Sequence, residues 1–265
     1  MKIFTVDAFS DVLFKGNPAG VCPLENEIPD ALMQSIAREM NLSETAFFLP
    51  KNNGYHLRWF TPLKEVDLCG HATLGTAHIL WQEGYLRENQ PAVFSTLSGE
   101  LRAEKQGEWI EMLFPLGSIP QTSAHNTALL QAMGLDQVVF MGEYRPNRYL
   151  IELPAAEQVR ACTPNFSKLY EIGADRIMIT APSDDSRFDF VSRYFAPGAG
   201  INEDPVTGSA HTHLAPYWAK KLGKDQLTAY QASARGGMLQ LRLKDDKVII
   251  RGQAVTVLKG ELQIS

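Results

Sequence analysis

Residues 59 to 73 read Trp59-Phe60-Thr61-Pro62-Leu63-Lys64-Glu65-Val66-Asp67-Leu68-Cys69-Gly70-His71-Ala72-Thr73, and an apolar helical pattern follows through Leu80 and Trp81. The second half of the chain repeats this grammar. Tyr194-Phe195-Ala196-Pro197 leads to Glu203-Asp204-Pro205-Val206-Thr207-Gly208-Ser209-Ala210, then to a helical pattern through Leu214, Tyr217 and Trp218 that stops at Leu222-Gly223. Each copy has a strand ending in aromatic-x-Pro, a turn carrying a carboxylate, a glycine followed by a small or polar residue, and a helix start. Two lobes related by a pseudo-twofold axis are expected. The echo divides the chain near Pro115, which places the lobes at roughly 1–116 and 117–250, with 251–265 and its strand near Ala254 to Leu258 returning to the first.

Outward from the echo, Ile3 to Phe9 alternates as a strand does, Gly16-Asn17-Pro18-Ala19-Gly20 reads as a loop, and a short apolar run follows. Pro29-Asp30 opens a helix over Ala31 to Met40, with Leu32, Ile36 and Met40 at helical spacing and Asn41 as a left-handed stop. Glu44 then stands at the entrance to a strand, Thr45-Ala46-Phe47-Phe48-Leu49. Near the end, Met238 to Leu243, Lys247 to Ile250 and Ala254 to Leu258 read as sheet.

The two glycine turns carry a chemical implication. Glycine permits close approach of a ligand to the backbone, and the unpaired N–H groups of a helix's first turn bind a carboxylate without lysine or arginine. Two such ends facing each other would form an anion cradle. The ordinary reading is that Gly70 and Gly208 cap two core helices.

Composition narrows the function classes. The 265 residues are 45% hydrophobic and 21% charged, enough to bury a full core. With 25 basic against 30 acidic side chains, the net charge is -5, and no basic block interleaved with aromatics offers counterion release on nucleic acid. The opening residues reach Asp7 before any signal-peptide-like apolar run, and no stretch approaches membrane-spanning length, so a cytoplasmic chain with neither nucleic-acid nor membrane partner is expected. Cys22, Cys69 and Cys162 are odd in number and widely spaced, which fits reduced thiols. His71, His78, His211 and His213 show no ligand spacing, so no metal is expected. Phosphate-loop, dinucleotide and hydrolase-elbow motifs are missing, so no organic cofactor is expected either.

Taken in order, Asn17-Pro18-Ala19-Gly20-Val21, Asn41-Leu42-Ser43-Glu44-Thr45-Ala46-Phe47, Phe60-Thr61-Pro62, Glu65-Val66-Asp67-Leu68-Cys69-Gly70-His71-Ala72-Thr73 and Glu203-Asp204-Pro205-Val206-Thr207-Gly208-Ser209-Ala210-His211 resemble the successive signatures of the PhzF-like, phenazine-biosynthesis-protein family. The closing Arg235-Gly236-Gly237-Met238-Leu239 and Gly252-Gln253-Ala254-Val255-Thr256-Val257 segments are also similar to family members. The resemblance implies an α/β (α+β) diaminopimelate-epimerase-like fold. In it two lobes, each a curved, largely antiparallel sheet around a central helix, flank an active-site cleft. It also implies a cofactor-independent isomerase acting on a small carboxylate-bearing metabolite. Carried over by motif, Glu44 is the acid/base, His71, Asp204 and Ser209 support it, and Gly70, Ala72, Thr207 and Gly208 bind substrate. A homodimer is a further expectation.

The chemistry agrees with that assignment. One carboxylate can move a proton between two carbons on the same face of a conjugated acid, as base and then as acid, and burial raises a carboxyl pKa toward neutrality. His71 would hold or relay a proton, Asp204 would orient an amine or hydroxyl, and Ser209 would donate to a carboxylate. Each has an ordinary reading too: Glu44 as a surface residue, His71 and Ser209 as helix caps, Asp204 as a turn former before Pro205. The two-cysteine mechanism of related racemases fails, because Cys69 has no sulfur counterpart in Asp204 to Ser209. A non-catalytic binder of small carboxylates stays open beside the enzyme, and Glu44 favours the enzyme, since a carboxylate beside a carboxylate site repels the ligand.

Overall fold

The computed structural model describes residues 1–122 and 126–264; positions 123–125 of the expected second lobe and 265 of the expected returning segment lie outside them. The elements run β1 (Lys2–Ala8), β2 (Asn17–Pro23), α1 (Asp30–Met40), β3 (Glu44–Lys51), β4 (Gly54–Phe60), β5 (Glu65–Val66), α2 (Gly70–Gln82), β6 (Ala92–Thr96), β7 (Gly99–Gln106) and β8 (Trp109–Pro115). They continue β9 (Gln121–Thr122), α3 (Thr127–Met133), β10 (Phe140–Arg145), β11 (Arg148–Glu152), α4 (Ala156–Ala161), α5 (Phe166–Glu171), β12 (Arg176–Pro182) and β13 (Phe190–Phe195). The last are α6 (Gly208–Leu222), β14 (Gln226–Gln231), β15 (Gly237–Lys244), β16 (Lys247–Gly252) and β17 (Ala254–Glu261). The chain divides into two compact units, Met1–Phe114 with Ile249–Ser265, and Pro115–Val248.

In the first unit β1 is antiparallel to β17 and β2, β2 parallel to β3, β3 antiparallel to β4, β4 parallel to β6, and β6 antiparallel to β7. Helix α2 packs against β1, β2, β3 and β17. Nearly all its residues are buried, from His71 through Trp81, as a helix apolar around its whole circumference requires. Its two buried threonines satisfy themselves: Thr73 Oγ1 donates to the Cys69 carbonyl at 2.6 Å and Thr76 Oγ1 to that of Ala72 at 2.7 Å. Helix α1 covers the opposite face of the sheet, where Met33, Ile36 and Ala37 meet Ile3, Cys22, Phe47 and Phe60. The buried stripe is rotated by one residue from the expected Leu32 and Met40, which sit partly covered at its edge. Asn41, at φ 49°, closes the helix by donating its N–H to the Ala37 carbonyl.

One expectation is corrected. Asn17 to Gly20 is strand, not loop, and only Gly16, at φ +68°, serves the turn. Pro18 is paired with Asp7 of β1, and β2 joins β3 only from Ala19 onward, so the missing N–H of Pro18 interrupts nothing on the β3 side. Gly20 is needed for the approach of β3, since a Cβ there would lie 2.8 Å from Thr45 Oγ1.

The second unit repeats the pairing order. β10 is antiparallel to β11, β11 parallel to β12, β12 antiparallel to β13, β13 parallel to β14, and β14 antiparallel to β15. Helix α6 packs on β14 and β15, while α3, α4 and α5 build the core of the other face around Leu129, Val159, Leu169 and Phe195. Pro216 inside α6 has no N–H for the Thr212 carbonyl, and Gly117 N–H takes that acceptor at 3.0 Å. Among the described residues no helix is long and apolar enough to cross a membrane.

Candidate active site

In the first unit three segments converge on the start of α2. Glu44 is the first residue of β3, beside Ala19 of β2. Asn17 heads β2, and His71 is the second residue of α2, after Cys69 in extended backbone. Asn17 Nδ2 approaches His71 Nδ1 at 3.3 Å and Cys69 Sγ approaches the same nitrogen at 3.5 Å. On the other side Glu44 Oε2 lies 3.3 Å from His71 Nε2. The amide nitrogen of Asn17 can only donate, so Nδ1 accepts and the proton of a neutral ring sits on Nε2, toward Glu44.

Burial pushes the His71 pKa down to about 3, which keeps the ring neutral near pH 7. The Glu44 contact falls short of hydrogen-bond geometry, so Nε2 is a buried nitrogen with no hydrogen-bond partner among the described residues. Leaving such a donor unpaired costs about 1–3 kcal/mol, and an oxyanion beside Glu44 would satisfy it. The Glu44 side chain is 19% exposed, so its carboxylate meets both the ring and the solvent side. Gly70 is half-buried and Ala72 fully buried.

In the second unit Gln231, fully buried at the end of β14, ties the turn before α6 in place. Its Oε1 accepts the Thr207 N–H at 2.8 Å, and its Nε2 donates to the Asp204 carbonyl at 2.7 Å. Thr207 Oγ1 donates to Asp204 Oδ2 at 2.5 Å, so this carboxylate is oriented by the turn itself. His211, the pseudo-equivalent of Thr73, sits opposite the Thr207 carbonyl through Nδ1 at 2.8 Å, as Thr73 sits opposite that of Cys69. Burial takes the His211 pKa down to about 4. Ser209 is exposed, one position past the buried Gly208.

The structure thus gathers Glu44 and His71 in one unit and Asp204, Thr207 and Gln231 in the other. Asn17 and Gln231 escaped the sequence reading. The signal for Asn17 was its own motif, Asn17-Pro18-Ala19-Gly20, and nothing local marks Gln231. Outside the motifs singled out in the sequence, Arg148 and Arg176 lie side by side on β11 and β12.

No metal motif is visible in the spacing, but the fold brings one oxygen of Glu44, the Cys69 sulfur and a His71 nitrogen within 4.8 Å of one another. This donor set suits a zinc-type ion. A metal held there would occupy the carboxylate.

The phenazine biosynthesis-like protein model, PhzC-PhzF, matches residues 6–260. An uncharacterized isomerase of Halalkalibacterium halodurans is 51% identical over 98% of this chain and 97% of its own. The crystal structure of a PhzF-family phenazine biosynthesis protein from Enterococcus faecalis superposes with a TM-score of 0.93 at 42% identity, covering 99% of both chains. A probable proline racemase from Agrobacterium radiobacter, at 11% identity and a TM-score of 0.63 over 100% of this chain and 93% of its own, shares the fold alone. The fold is therefore of the diaminopimelate-epimerase-like type shared by these proteins, and the chain belongs to the PhzC-PhzF family of phenazine biosynthesis-like proteins.

Proposed function

We propose that this chain is a cofactor-independent isomerase that moves a proton on a small carboxylate-bearing metabolite, with Glu44 as the single acid/base. The observation that carries the reading is the placement of Glu44 at the head of β3, 3.3 Å from the buried His71 Nε2 at the start of α2. Relatives named isomerases support the reaction class.

The ionised carboxylate of Glu44 takes a proton from one substrate carbon, and the resulting carboxylic acid returns it to another carbon on the same face. Neutral His71 donates its Nε2 proton to a substrate oxygen as negative charge develops there, which needs no proton transfer from a cationic ring. Its buried Asn17 partner holds the required tautomer. The N–H groups around Gly70 and Ala72, and those of Thr207 and Gly208, bind carboxylate oxygens. Asp204 orients an amine or hydroxyl and Ser209 donates to a carboxylate.

The reading is tested by incubating the protein in deuterated water with a panel of small carboxylated metabolites and following deuterium incorporation by mass spectrometry. Incorporation at carbon into at least one of them is expected. Binding of panel members with no incorporation into any would instead favour a non-catalytic carboxylate-binding protein.

A further inference from the structure

The repeat gives Glu44 a counterpart position in the second unit. Phe60 pairs with Thr45, and Phe195, its counterpart in the aromatic-x-Pro echo, pairs with Ile177. One residue earlier on each strand stand Glu44 and Arg176. The neighbour of Glu44 across the parallel pair is Ala19, and that of Arg176 is Arg148. Where the first unit sets a carboxylate beside a methyl group, the second sets two guanidiniums side by side. Arg145 stands opposite Arg148 on β10.

Adjacent like charges persist only with a counter-charge. Here it is Asp175, whose Oδ2 accepts from Arg148 Nε at 2.6 Å and whose Oδ1 accepts from Arg176. One carboxylate thus serves two cations. Among the described residues Arg148 donates through Nε alone and Arg176 through one terminal nitrogen alone, to Asp175. The other edges of both forks remain for a ligand, and the side chains are 34% and 20% exposed.

Two phenols complete the cluster. Tyr194 lies on the same sheet face as Arg176, opposite Met178, and its carbonyl accepts the Asp204 N–H at 3.0 Å, which joins the cluster to the motif turn. Tyr144 hydrogen-bonds Tyr194, and its ring lies 4.4 Å from that of His213 on α6. Burial raises both phenol pKa values, so they stay neutral donors, within the field of Arg148 and Arg176.

We infer that Arg176 and Arg148, with Tyr194 beside them, form a subsite for a second oxyanion group of the substrate, which makes that substrate a dianion. This rests on the isomerase reading above. The planar guanidinium fork grips a carboxylate or a phosphate by two parallel hydrogen bonds, whereas the backbone N–H groups of a helix start hold the first carboxylate without any side-chain charge.

The test is calorimetric titration of the full chain with malonate and with inorganic phosphate, for the wild type, Arg176→Gln, Arg148→Gln, Arg176→Lys and Glu44→Gln. The tighter of the two probes is expected to weaken about tenfold or more in Arg176→Gln and Arg148→Gln. It should weaken less in Arg176→Lys, which keeps the charge without the fork, and should not weaken in Glu44→Gln. Preference for malonate identifies a carboxylate and preference for phosphate a phosphoryl group; either supports the subsite. Because removing one arginine leaves Asp175 less compensated, the Arg176 Nε–H signal of the wild type is followed by NMR in the same titrations. A saturable shift is expected with or without well-folded variants. Unchanged affinity in folded glutamine variants, or no shift of that signal at saturation, overturns the subsite. Deuterium incorporation that persists in Glu44→Gln would instead remove Glu44 as the acid/base and leave the subsite standing, whereas no incorporation by the wild type into any panel member would strike the isomerase reading.

Discussion

Glu44 Oε2 stands 3.3 Å from Nε2 of His71, a ring that burial holds neutral with its pKa near 3. The pair is therefore a carboxylate facing an uncharged donor. This has a consequence for stability. An unfolded histidine titrates near its ordinary value of 6.5, while His71 titrates near 3 and His211 near 4 in the folded state. As pH falls below 6.5 the unfolded chain binds protons that the folded chain refuses, so the stability present above 6.5 declines toward pH 4. Denaturant unfolding across that range should show the decline, and His71→Asn should flatten it. A stability that rises as the pH is lowered would contradict neutral buried rings.

Gln231→Leu should uncouple the Asp204 turn. The substitution keeps the bulk but leaves the buried Thr207 N–H without its acceptor, at a cost of about 1–3 kcal/mol. A lower melting temperature is expected, together with a raised KM on the identified substrate, because Asp204 loses the bond to its carbonyl. Wild-type stability would show that water replaces the amide without loss.

Two glycines should answer oppositely to alanine. At Gly252 a Cβ would fall 2.4 Å from Phe9 Cδ1 and 2.8 Å from Leu74 Cδ1, and overpacking of this kind costs about 1–3 kcal/mol. At Gly75, inside α2, it would meet Val6 at an ordinary 3.5 Å, and relief of the helix-interior glycine penalty is worth up to about 1 kcal/mol. Thermal unfolding of both variants decides. A stabilised Gly252→Ala would mean that the packing around Phe9 yields more easily than its burial implies.

Activity on the identified substrate should survive chelation and exhaustive dialysis. Proton transfer by Glu44 needs no metal, and an ion held by Glu44, Cys69 and His71 would consume the base. Loss of activity that a divalent ion restores would place a metal in the mechanism.

The legible parts were those written locally. The aromatic-x-Pro echo, the Gly-led starts of α2 and α6 and the Asn41 stop all depend on residues within a turn of each other. Gly, Asn and Pro are turn formers, so the local pattern at Asn17 reads as loop, and only the pairing of β2 with β1 and β3 overrides that preference. The Asn17–His71 contact spans 54 residues, and the Gln231–Thr207 contact 24. Arg148 and Arg176 become neighbours only because α4 and α5 carry the chain across to a parallel strand, which no local pattern records.

Proton transfer by Glu44 is the step on which the proposed reaction turns. Solvent deuterium exchange into substrate, measured beside calorimetric affinity and thermal unfolding, compares the wild type with Glu44→Gln. Glutamine keeps the size and reach of the side chain but cannot accept and return a proton. Exchange is expected to fall by a factor of about a hundred or more in the variant, with the fold intact and affinity for the anionic substrate unchanged or tighter. Exchange near the wild-type rate in a folded Glu44→Gln would contradict it and make His71 the principal base.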